Sequence, residues 1–227
     1  MQKELNYKGN VKFSHTDTTT VGKLQTIIWQ VATVVQRFQG FTGSAWGIPG
    51  GGSQCQRHVQ EYQAYGFKAE AVNLMEIDPA TFETQKKWAK ASNFPGQLHI
   101  GNGFDILEKA LKGEGKISLV DWDDTKLLHC NHIRLLRQCA KAGVDVILLT
   151  LCTRGRITPR LKIEKRRFKR RRRRTNNNGG KLSEPIRELT VQTVERFARL
   201  AGYECHARPY RGLTTPMLSF VLIRKSI

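Results

Sequence analysis

Two acidic sequences end apolar stretches of the chain. Glu76 and Asp78 close the apolar stretch 69–77, and Asp121, Trp122 and Asp123 follow the apolar stretch 116–120. A carboxylate only accepts hydrogen bonds, so it suits the hydroxyl groups of a ligand. A carboxylate can also orient an amine by accepting a hydrogen bond from it, and an aromatic ring can stack on a planar ligand. These residues are therefore candidates for ligand binding and catalysis.

Glycines surround two further candidate positions. Gly47, Gly50, Gly51 and Gly52 lie in a loop that follows a predicted short strand, and Asn102 lies between two glycines after another strand. Glycine lets the backbone approach a ligand closely, because it has no Cβ atom. The Asn102 side chain offers both an acceptor and donors. The two loops are therefore further candidates for ligand binding.

The elements that must position these residues alternate along the chain. Strand-like runs occur at 41–47, 69–77, 97–100, 116–120 and 144–151. Helical periodicity occurs between them and at both ends, at 24–38, 54–65, 80–91, 104–111, 126–142 and 183–200. This order predicts an α/β fold with a Rossmann-like, mostly parallel sheet and helices on both faces. Strands at 204–208 and 216–224 predict a C-terminal antiparallel hairpin.

The positive charge of the chain is clustered. The net charge is +19, which favours phosphate-bearing partners, and residues 154–182 hold a basic run that cannot form a packed core. We predict a disordered insertion that binds nucleic acid, DNA or RNA, with Phe168 stacking on an exposed base. A nuclear-import signal and a solvated insertion are the alternatives. The predicted contacts are Arg154, Arg156, Lys165, Arg166, Arg167, Phe168, Lys169, Arg170, Arg171, Arg172, Arg173 and Arg174.

From about residue 40 to residue 227, the order of these elements resembles class I S-adenosylmethionine-dependent methyltransferases. The resemblance implies that S-adenosylmethionine is the cofactor and that Gly47, Gly50, Gly51, Gly52, Glu76, Asp78 and Asn102 hold it. Glu76 would accept from the ribose hydroxyls, with Asp78 at its flank, and the Asn102 carbonyl would meet the adenine amino group. Asp121, Trp122 and Asp123 would face the acceptor. Unlike the family pattern, no acidic residue precedes the glycines, and Pro49 interrupts them.

The resemblance also implies a division of the chain. Residues 1–39 form an N-terminal tail and helix, and residues 40–227 form a methyltransferase-like domain that carries the basic insertion 154–182. The predicted activity is methyl transfer from S-adenosylmethionine to nucleic acid.

Other functions use the same residues. Asp121, Asp123 and Thr125 match the D-x-D-x-T pattern of haloacid-dehalogenase-type phosphatases, although the later acidic pair that would hold Mg²⁺ is missing. Glu76 with the two aspartates also resembles the Toprim arrangement of metal-binding acids. A third alternative is a non-catalytic nucleic-acid-binding protein on the same fold. Asp124 and Thr125 are predicted to cap the helix that follows.

The histidines, the cysteines and the apolar segments of the sequence bear on metal binding and on the cellular compartment. His129 and His132 share one helix without a matching ligand pair elsewhere, so we predict no metal site. Five cysteines without a C-x-x-C pair indicate reduced thiols and an intracellular, reducing compartment. Residues 1–12 lack the apolar core of a signal peptide, and no apolar segment reaches the length of a membrane span, so we expect no membrane partner.

Overall fold

The chain alternates strands and helices around one sheet. The computed structural model describes residues 21–38, 40–113, 115–123, 127–153, 183–212 and 215–225. Helices in these ranges are α1 Val21–Val35, α2 Gly52–Ala64, α3 Pro79–Ala91, α4 Gly103–Lys112, α5 Cys130–Ala142 and α6 Ser183–Leu200. The strands are β1 Ser44–Gly47, β2 Val72–Glu76, β3 Gln97–Ile100, β4 Ile117–Asp123, β5 Val146–Cys152, β6 Tyr203–Arg211 and β7 Pro216–Arg224.

The sheet has seven strands in the order β3-β2-β1-β4-β5-β7-β6. Strands β1 to β5 pair in parallel, whereas β7 is antiparallel to both β5 and β6. All residues of β5 are buried, as expected for a central strand that helices cover on both faces. The predicted fold class, a mostly parallel Rossmann-like sheet with a C-terminal antiparallel hairpin, is confirmed.

Each face of the sheet has its own core. Helices α1, α2 and α3 cover the first face, where Val34 and Tyr62 pack with Leu119 of β4. Helices α4, α5 and α6 cover the second face, where Leu107 packs with Trp122. Because side chains alternate along a strand, Asp121 and Asp123 lie on the first face, opposite to Trp122.

Helix α1 packs on the C-terminal hairpin. The Gln30 side-chain amide donates to the Ser219 hydroxyl of β7 at 2.9 Å, and both residues are buried. The division into 1–39 and 40–227 stays a prediction. None of the helices in the described part of the chain is both long and apolar enough to cross a membrane.

The carboxyl ends of the parallel strands share one edge of the sheet. Gly47 of β1 is in register with Asp121 of β4, and Glu76 of β2 is in register with Ile100 of β3. The chain moves outward from β1 to β3 and then returns to the other side of β1 with β4. Ligands of open α/β sheets bind at such a reversal of strand order. The fold therefore gathers the predicted cofactor residues and the two aspartates at this edge.

Strand β4 extends to Asp123, beyond the predicted end at residue 120. It continues because Asp121 and Asp123 still pair with Leu148 and Thr150 of β5. Helix α5 begins only at Cys130, and its N-cap is His129. The predicted capping by Asp124 and Thr125 is therefore wrong, although those two residues lie outside the described ranges.

Candidate functional site

The turn between β1 and α2 brings backbone to the carboxyl edge. Gly50 has φ of 85°, in the left-handed region that favours glycine. Its carbonyl accepts from the Gln85 side-chain amide of α3 at 2.5 Å, which fixes the turn. Gly51 is the N-cap of α2 without a side-chain cap, and a Cβ atom on it would meet no described atom within 4 Å. The positive end of α2 therefore adjoins open space.

The other two glycines of this turn serve packing. A Cβ atom on Gly47 would overlap the Tyr62 hydroxyl of α2. A Cβ atom on Gly52 would lie 3.1 Å from the Thr84 carbonyl and 3.2 Å from Cβ of Trp88, both on α3. Gly47 thus lets α2 approach β1, and Gly52 lets α2 approach α3. Their predicted contact with a cofactor stays a prediction.

Glu76 ends β2 with its carboxylate held by the backbone. One oxygen, Oε1, accepts from the N–H groups of Ile77 at 2.8 Å and Asp78 at 2.9 Å. The side chain is nearly buried, with 7% exposure, and two charge-assisted hydrogen bonds hold it in one orientation. The geometry presents a preoriented carboxylate at the sheet edge.

Asp78 and Asn102 act as helix caps. Asp78 Oδ2 accepts from the Thr81 backbone N–H at 2.8 Å and from its hydroxyl at 2.7 Å, at the start of α3. Asn102 Oδ1 accepts from the Phe104 N–H at 3.0 Å, at the start of α4. The Asn102 carbonyl that was predicted to meet adenine therefore already has a backbone donor. Both residues still lie beside the edge, one after β2 and one after β3.

Asp121 lies beneath α2, in a cluster of polar groups. Its Oδ2 accepts from the Tyr62 hydroxyl at 3.1 Å and lies 3.4 Å from His58 Nδ1. His58 Nδ1 also lies 3.8 Å from Glu61 Oε2. Asp121 is only 6% exposed, so the carboxylate faces these neighbours rather than open solvent.

Burial raises the pKa of two groups in this cluster, Glu61 and Tyr62. It is the largest effect on Glu61, whose pKa it raises above its usual value, while His58 opposes the shift and Asp121 adds to it. Burial and then the Asp121 charge raise the pKa of Tyr62 well above its usual value. Tyr62 therefore stays a neutral phenol that donates to Asp121.

The side chain of Asp123 is more exposed than that of Asp121, and it contacts helix α1. Lys23 Nζ lies 2.7 Å from Asp123 Oδ2 in a partly buried ion pair. The Asp123 charge raises the pKa of Lys23 above its usual value, although burial acts in the opposite direction. The first helix therefore contributes a cation to the end of β4, which the sequence did not predict.

Trp122 lies on the opposite face of the sheet from Asp121 and Asp123. It is 3% exposed and packs in the core of the second face, with its ring 4.3 Å from the Phe104 ring. Strand alternation explains this, because the side chain between two first-face aspartates must point to the second face. The prediction that Trp122 faces the acceptor together with Asp121 and Asp123 is corrected accordingly.

His129 and His132 form a capping box. His129 Nδ1 accepts from the Asn131 N–H, and His132 Nδ1 accepts from the His129 N–H, both at 3.2 Å. Their rings lie 4.0 Å apart and close to Phe104. Both Nδ1 atoms therefore already accept hydrogen bonds at the start of α5.

Sequence reasoning missed His58, Glu61 and Tyr62. The available signal was periodicity, because Cys55, His58, Val59 and Tyr62 recur at helical spacing on the buried face of α2. A histidine in an otherwise apolar helical stripe needs a buried partner. That partner, Asp121, is 63 residues away in the chain and could not be identified from local pattern.

A cavity of about 430 Å³ lies on the second face of the sheet. Its lining includes Trp46 of β1, His99 of β3 and Lys109 of α4, and the Trp46 and His99 rings stack at 4.8 Å. Burial lowers the pKa of His99. None of the predicted site residues within the described ranges lines this cavity, so it is separate from the carboxyl edge.

The predicted nucleic-acid contacts, from Arg154 to Arg174, lie outside the described residues. The structure does place the point where that segment begins. Thr153 follows β5 at the carboxyl edge, and both its N–H and its hydroxyl donate to the Pro216 carbonyl, at 2.9 and 3.0 Å. The segment therefore leaves the sheet at the edge that carries the candidate site.

Comparisons with known proteins identify the fold. No family model matches the chain, and no curated protein matches its sequence. The structure is similar to precorrin-6y C5,15-methyltransferase from Geobacter metallireducens, with 11% identity and a TM-score of 0.53 over 94% of this chain and 95% of that one. It is also similar to the METTL16 methyltransferase domain, with 12% identity and a TM-score of 0.55 over 90% and 68% of the two chains.

An O-methyltransferase from Bacillus cereus, solved with S-adenosylhomocysteine, is similar as well. Its identity is 13% and its TM-score 0.53, over 91% of this chain and 84% of that one. At these identities the similarity establishes the fold, which is that of class I methyltransferases.

Proposed function

We propose that this chain transfers a methyl group from S-adenosylmethionine to a nucleic acid, DNA or RNA. One observation carries the proposal. At the reversal of strand order, the N-terminus of α2, which has no side-chain cap and has open space at Gly51, lies at the same sheet edge as the preoriented Glu76 carboxylate. A positive helix end next to a hydroxyl acceptor suits a ligand that carries both an anionic group and a ribose.

The residues at the edge fit the chemical groups of S-adenosylmethionine. The first-turn N–H groups of α2 suit its carboxylate, as helix N-termini suit anions in general. Glu76 Oε2 suits the ribose hydroxyls, because Oε1 already accepts from two backbone donors. Asn102 stands at the loop after β3, where the adenine would lie. The bound cofactor supplies the electrophilic methyl group.

Asp123 is the residue best placed to receive the acceptor. It is the last residue of β4, and its side chain is 18% exposed, whereas the side chain of Asp121 beneath α2 is 9% exposed. In our proposal the Asp123 carboxylate accepts a hydrogen bond from the amine or hydroxyl to be methylated. Lys23 Nζ pairs with Asp123 Oδ2 at 2.7 Å and thereby fixes the orientation of the carboxylate.

Charge favours nucleic acid as the acceptor. Residues 154–182 hold 14 Lys and Arg against one Glu, which accounts for 13 of the 19 net positive charges. This segment begins directly after Thr153, at the edge that carries Glu76 and Asp123. Basic side chains that contact phosphates position a nucleic acid with little sequence preference.

A non-catalytic nucleic-acid-binding protein on the same fold is the second candidate. Pro49 interrupts the glycines, and both Asp78 and Asn102 serve as caps. A phosphatase is less favoured by the geometry. Asp121 is bonded to Tyr62 beneath α2, and Asp123 is neutralised by Lys23, so the pair does not present two carboxylates to a phosphate and Mg²⁺.

A thermal-shift titration with S-adenosylmethionine tests the cofactor assignment. A ligand that binds the folded state stabilises it by about 2.7 kcal/mol at 100 times its Kd. Glu76→Gln should abolish the shift, while Asp105→Asn, which changes an exposed acid in the first turn of α4, should retain it. No stabilisation of the wild-type protein at millimolar ligand would refute the methyltransferase proposal.

Methyl transfer to nucleic acid separates the two candidates. With cofactor labelled in the methyl group, we expect label in DNA or RNA, and Asp123→Asn should reduce the rate by at least about tenfold. Cofactor binding without label in either nucleic acid would contradict the proposed acceptor. Nucleic-acid binding without any cofactor binding would identify the non-catalytic alternative.

A further inference from the structure

Three side chains with metal-binding atoms converge beneath the glycine turn. His58 and Glu61 stand one helical turn apart on α2, and Asp121 reaches them from β4. The three donor atoms lie within 4.8 Å of one another. We propose that they form a binding site for a first-row transition-metal dication such as Zn²⁺. The sequence predicted no metal site, and this inference goes beyond the proposed function without depending on it.

Two separations within the cluster are close to those between the ligands of a metal ion. Two ligands about 2.1 Å from a tetrahedral ion are roughly 3.4 Å apart. His58 Nδ1 lies 3.4 Å from Asp121 Oδ2 and 3.8 Å from Glu61 Oε2. N–H···O hydrogen bonds are usually about 2.7–3.2 Å long, which is shorter than both of these separations.

Charge also favours a cation at this position. Glu61, Asp121 and Asp123 bring three carboxylates to the region, and their cationic neighbours are Arg57, 3.2 Å from Glu61, and Lys23, 2.7 Å from Asp123. Buried carboxylates this close repel each other unless positive charge compensates them. Arg57 Nε pairs with Glu61 Oε1, so Oε2, which lies 3.8 Å from His58 Nδ1, is the Glu61 oxygen that faces the cluster.

The donor set indicates the class of metal. One imidazole nitrogen and two carboxylates suit Zn²⁺, Mn²⁺, Fe²⁺ or Co²⁺, whereas Ca²⁺ and Mg²⁺ prefer oxygen ligands alone. Three protein ligands also leave a tetrahedral ion one further position. The Tyr62 hydroxyl, 3.1 Å from Asp121 Oδ2, would remain a hydrogen-bond donor that orients the ligating carboxylate.

A bound ion at this position would join α2 to β4. These two elements flank Gly47, where only the missing Cβ lets the Tyr62 hydroxyl reach Asp121. The site would thus hold the middle of α2, the helix that follows the turn of Gly50 and Gly51, against the centre of the sheet. This predicts that metal binding stabilises the folded chain without any cofactor present.

Titration of the chelator-stripped full chain with Zn²⁺ tests the site. Isothermal calorimetry should give about one ion per chain, and binding should raise the melting temperature. Glu61→Gln and Asp121→Asn should each weaken Zn²⁺ binding by roughly tenfold or more. Glu108→Gln, a carboxylate on α4 that pairs with Lys112, is the matched control and should bind as the wild type does.

The absorption spectrum of Co²⁺ bound to the wild-type protein gives a second test, which does not require any variant to fold. Co²⁺ held by one nitrogen and carboxylate oxygens should give the visible absorption of a four-coordinate site without a sulfur charge-transfer band. Such a band would place the ion on a cysteine, such as the exposed Cys130, and overturn the proposal. Absence of Zn²⁺ and Co²⁺ binding, or wild-type affinity in Glu61→Gln, would overturn it as well.

Discussion

Four glycines in one short turn have different physical roles. Gly47 and Gly52 provide room for helix packing, because a Cβ atom on either would meet a neighbouring element. Gly50 provides a left-handed backbone conformation. Gly51 adjoins open space, so it is a glycine at which a ligand could approach the backbone. At the residue scale, Gly51 and the N-terminus of α2 are therefore the best candidates for contact with the cofactor, and the other glycines of the turn are weaker ones.

Substitution by serine should separate the packing role from the binding role. Gly47→Ser places atoms where the Tyr62 hydroxyl lies and should destabilise the fold by about 1–3 kcal/mol, as overpacking of cores does. Gly51→Ser adds a favourable N-cap side chain and should change stability by less than about 1 kcal/mol. Because its side chain fills the open space, Gly51→Ser should still weaken S-adenosylmethionine binding. Urea denaturation and cofactor titration measure the two effects.

The opposite pattern would require a different assignment. If Gly51→Ser bound the cofactor as tightly as wild type, the ligand would not approach the backbone at this turn. If Gly47→Ser left stability unchanged, α2 would not pack against β1 as closely as the Tyr62 to Asp121 contact requires.

At the scale of elements, three described helices that start at the carboxyl edge have a side-chain cap, and α2 has none. Asp78 caps α3, Asn102 caps α4 and His129 caps α5, whereas the N-cap of α2 is Gly51. A capped helix end has already used one of its free N–H groups on a side chain. Among the described helices of this edge, α2 is therefore the one whose N-terminus best suits an external anion.

The His129 cap can be tested with a matched pair of variants. His129→Ala removes the acceptor for the Asn131 N–H, and His129→Asn replaces it with another good N-cap while also removing the ring. The difference in unfolding free energy between the two variants should be about 1 kcal/mol, with His129→Asn the more stable. Chemical denaturation measures it, and equal stabilities would mean that the ring, not the cap, matters at this position.

The sequence predicted the helices and strands better than it predicted which side chains contact each other. The strand at 97–100 and the helix at 183–200 are confirmed as β3 and α6, because apolar runs and helical spacing are local signals. Glu76 was placed at a strand end for the same reason. The partners of Asp121 and Asp123 were not predictable, since Tyr62 and Lys23 lie 59 and 100 residues away in the chain. Strand alternation alone could have excluded Trp122 from the acceptor side.

At the scale of the whole molecule, charge is distributed unevenly. Residues 154–182 carry 13 of the 19 net positive charges, and the rest of the chain carries six. The sheet places the start of this segment at Thr153, on the edge that gathers Gly51, Glu76 and Asp123. The net charge predicts attraction to polyanions in general. The position of the basic segment predicts further that the bound phosphates lie near the candidate site.

Replacing residues 165–174 by a Gly/Ser segment of equal length tests this expectation. The change removes nine Lys and Arg while keeping the connection between β5 and α6. Each phosphate contact contributes about 0.9 to the slope of log K against log salt for duplex DNA, and about 0.7 for single strands. We expect weaker nucleic-acid binding with a slope reduced by several of these increments, measured by fluorescence anisotropy across a salt series.

Cofactor binding provides the control in the same variant. Gly51 and Glu76 are positioned by the helices and strands of the sheet and not by the replaced segment, so the S-adenosylmethionine titration should be unchanged. A second variant with all nine basic residues as Lys should bind nucleic acid nearly as well, because phosphate contacts depend on charge more than on side-chain shape. An unchanged salt slope would show that the segment does not contact phosphates. Loss of cofactor binding in the Gly/Ser variant would show that the segment supports the cofactor site itself.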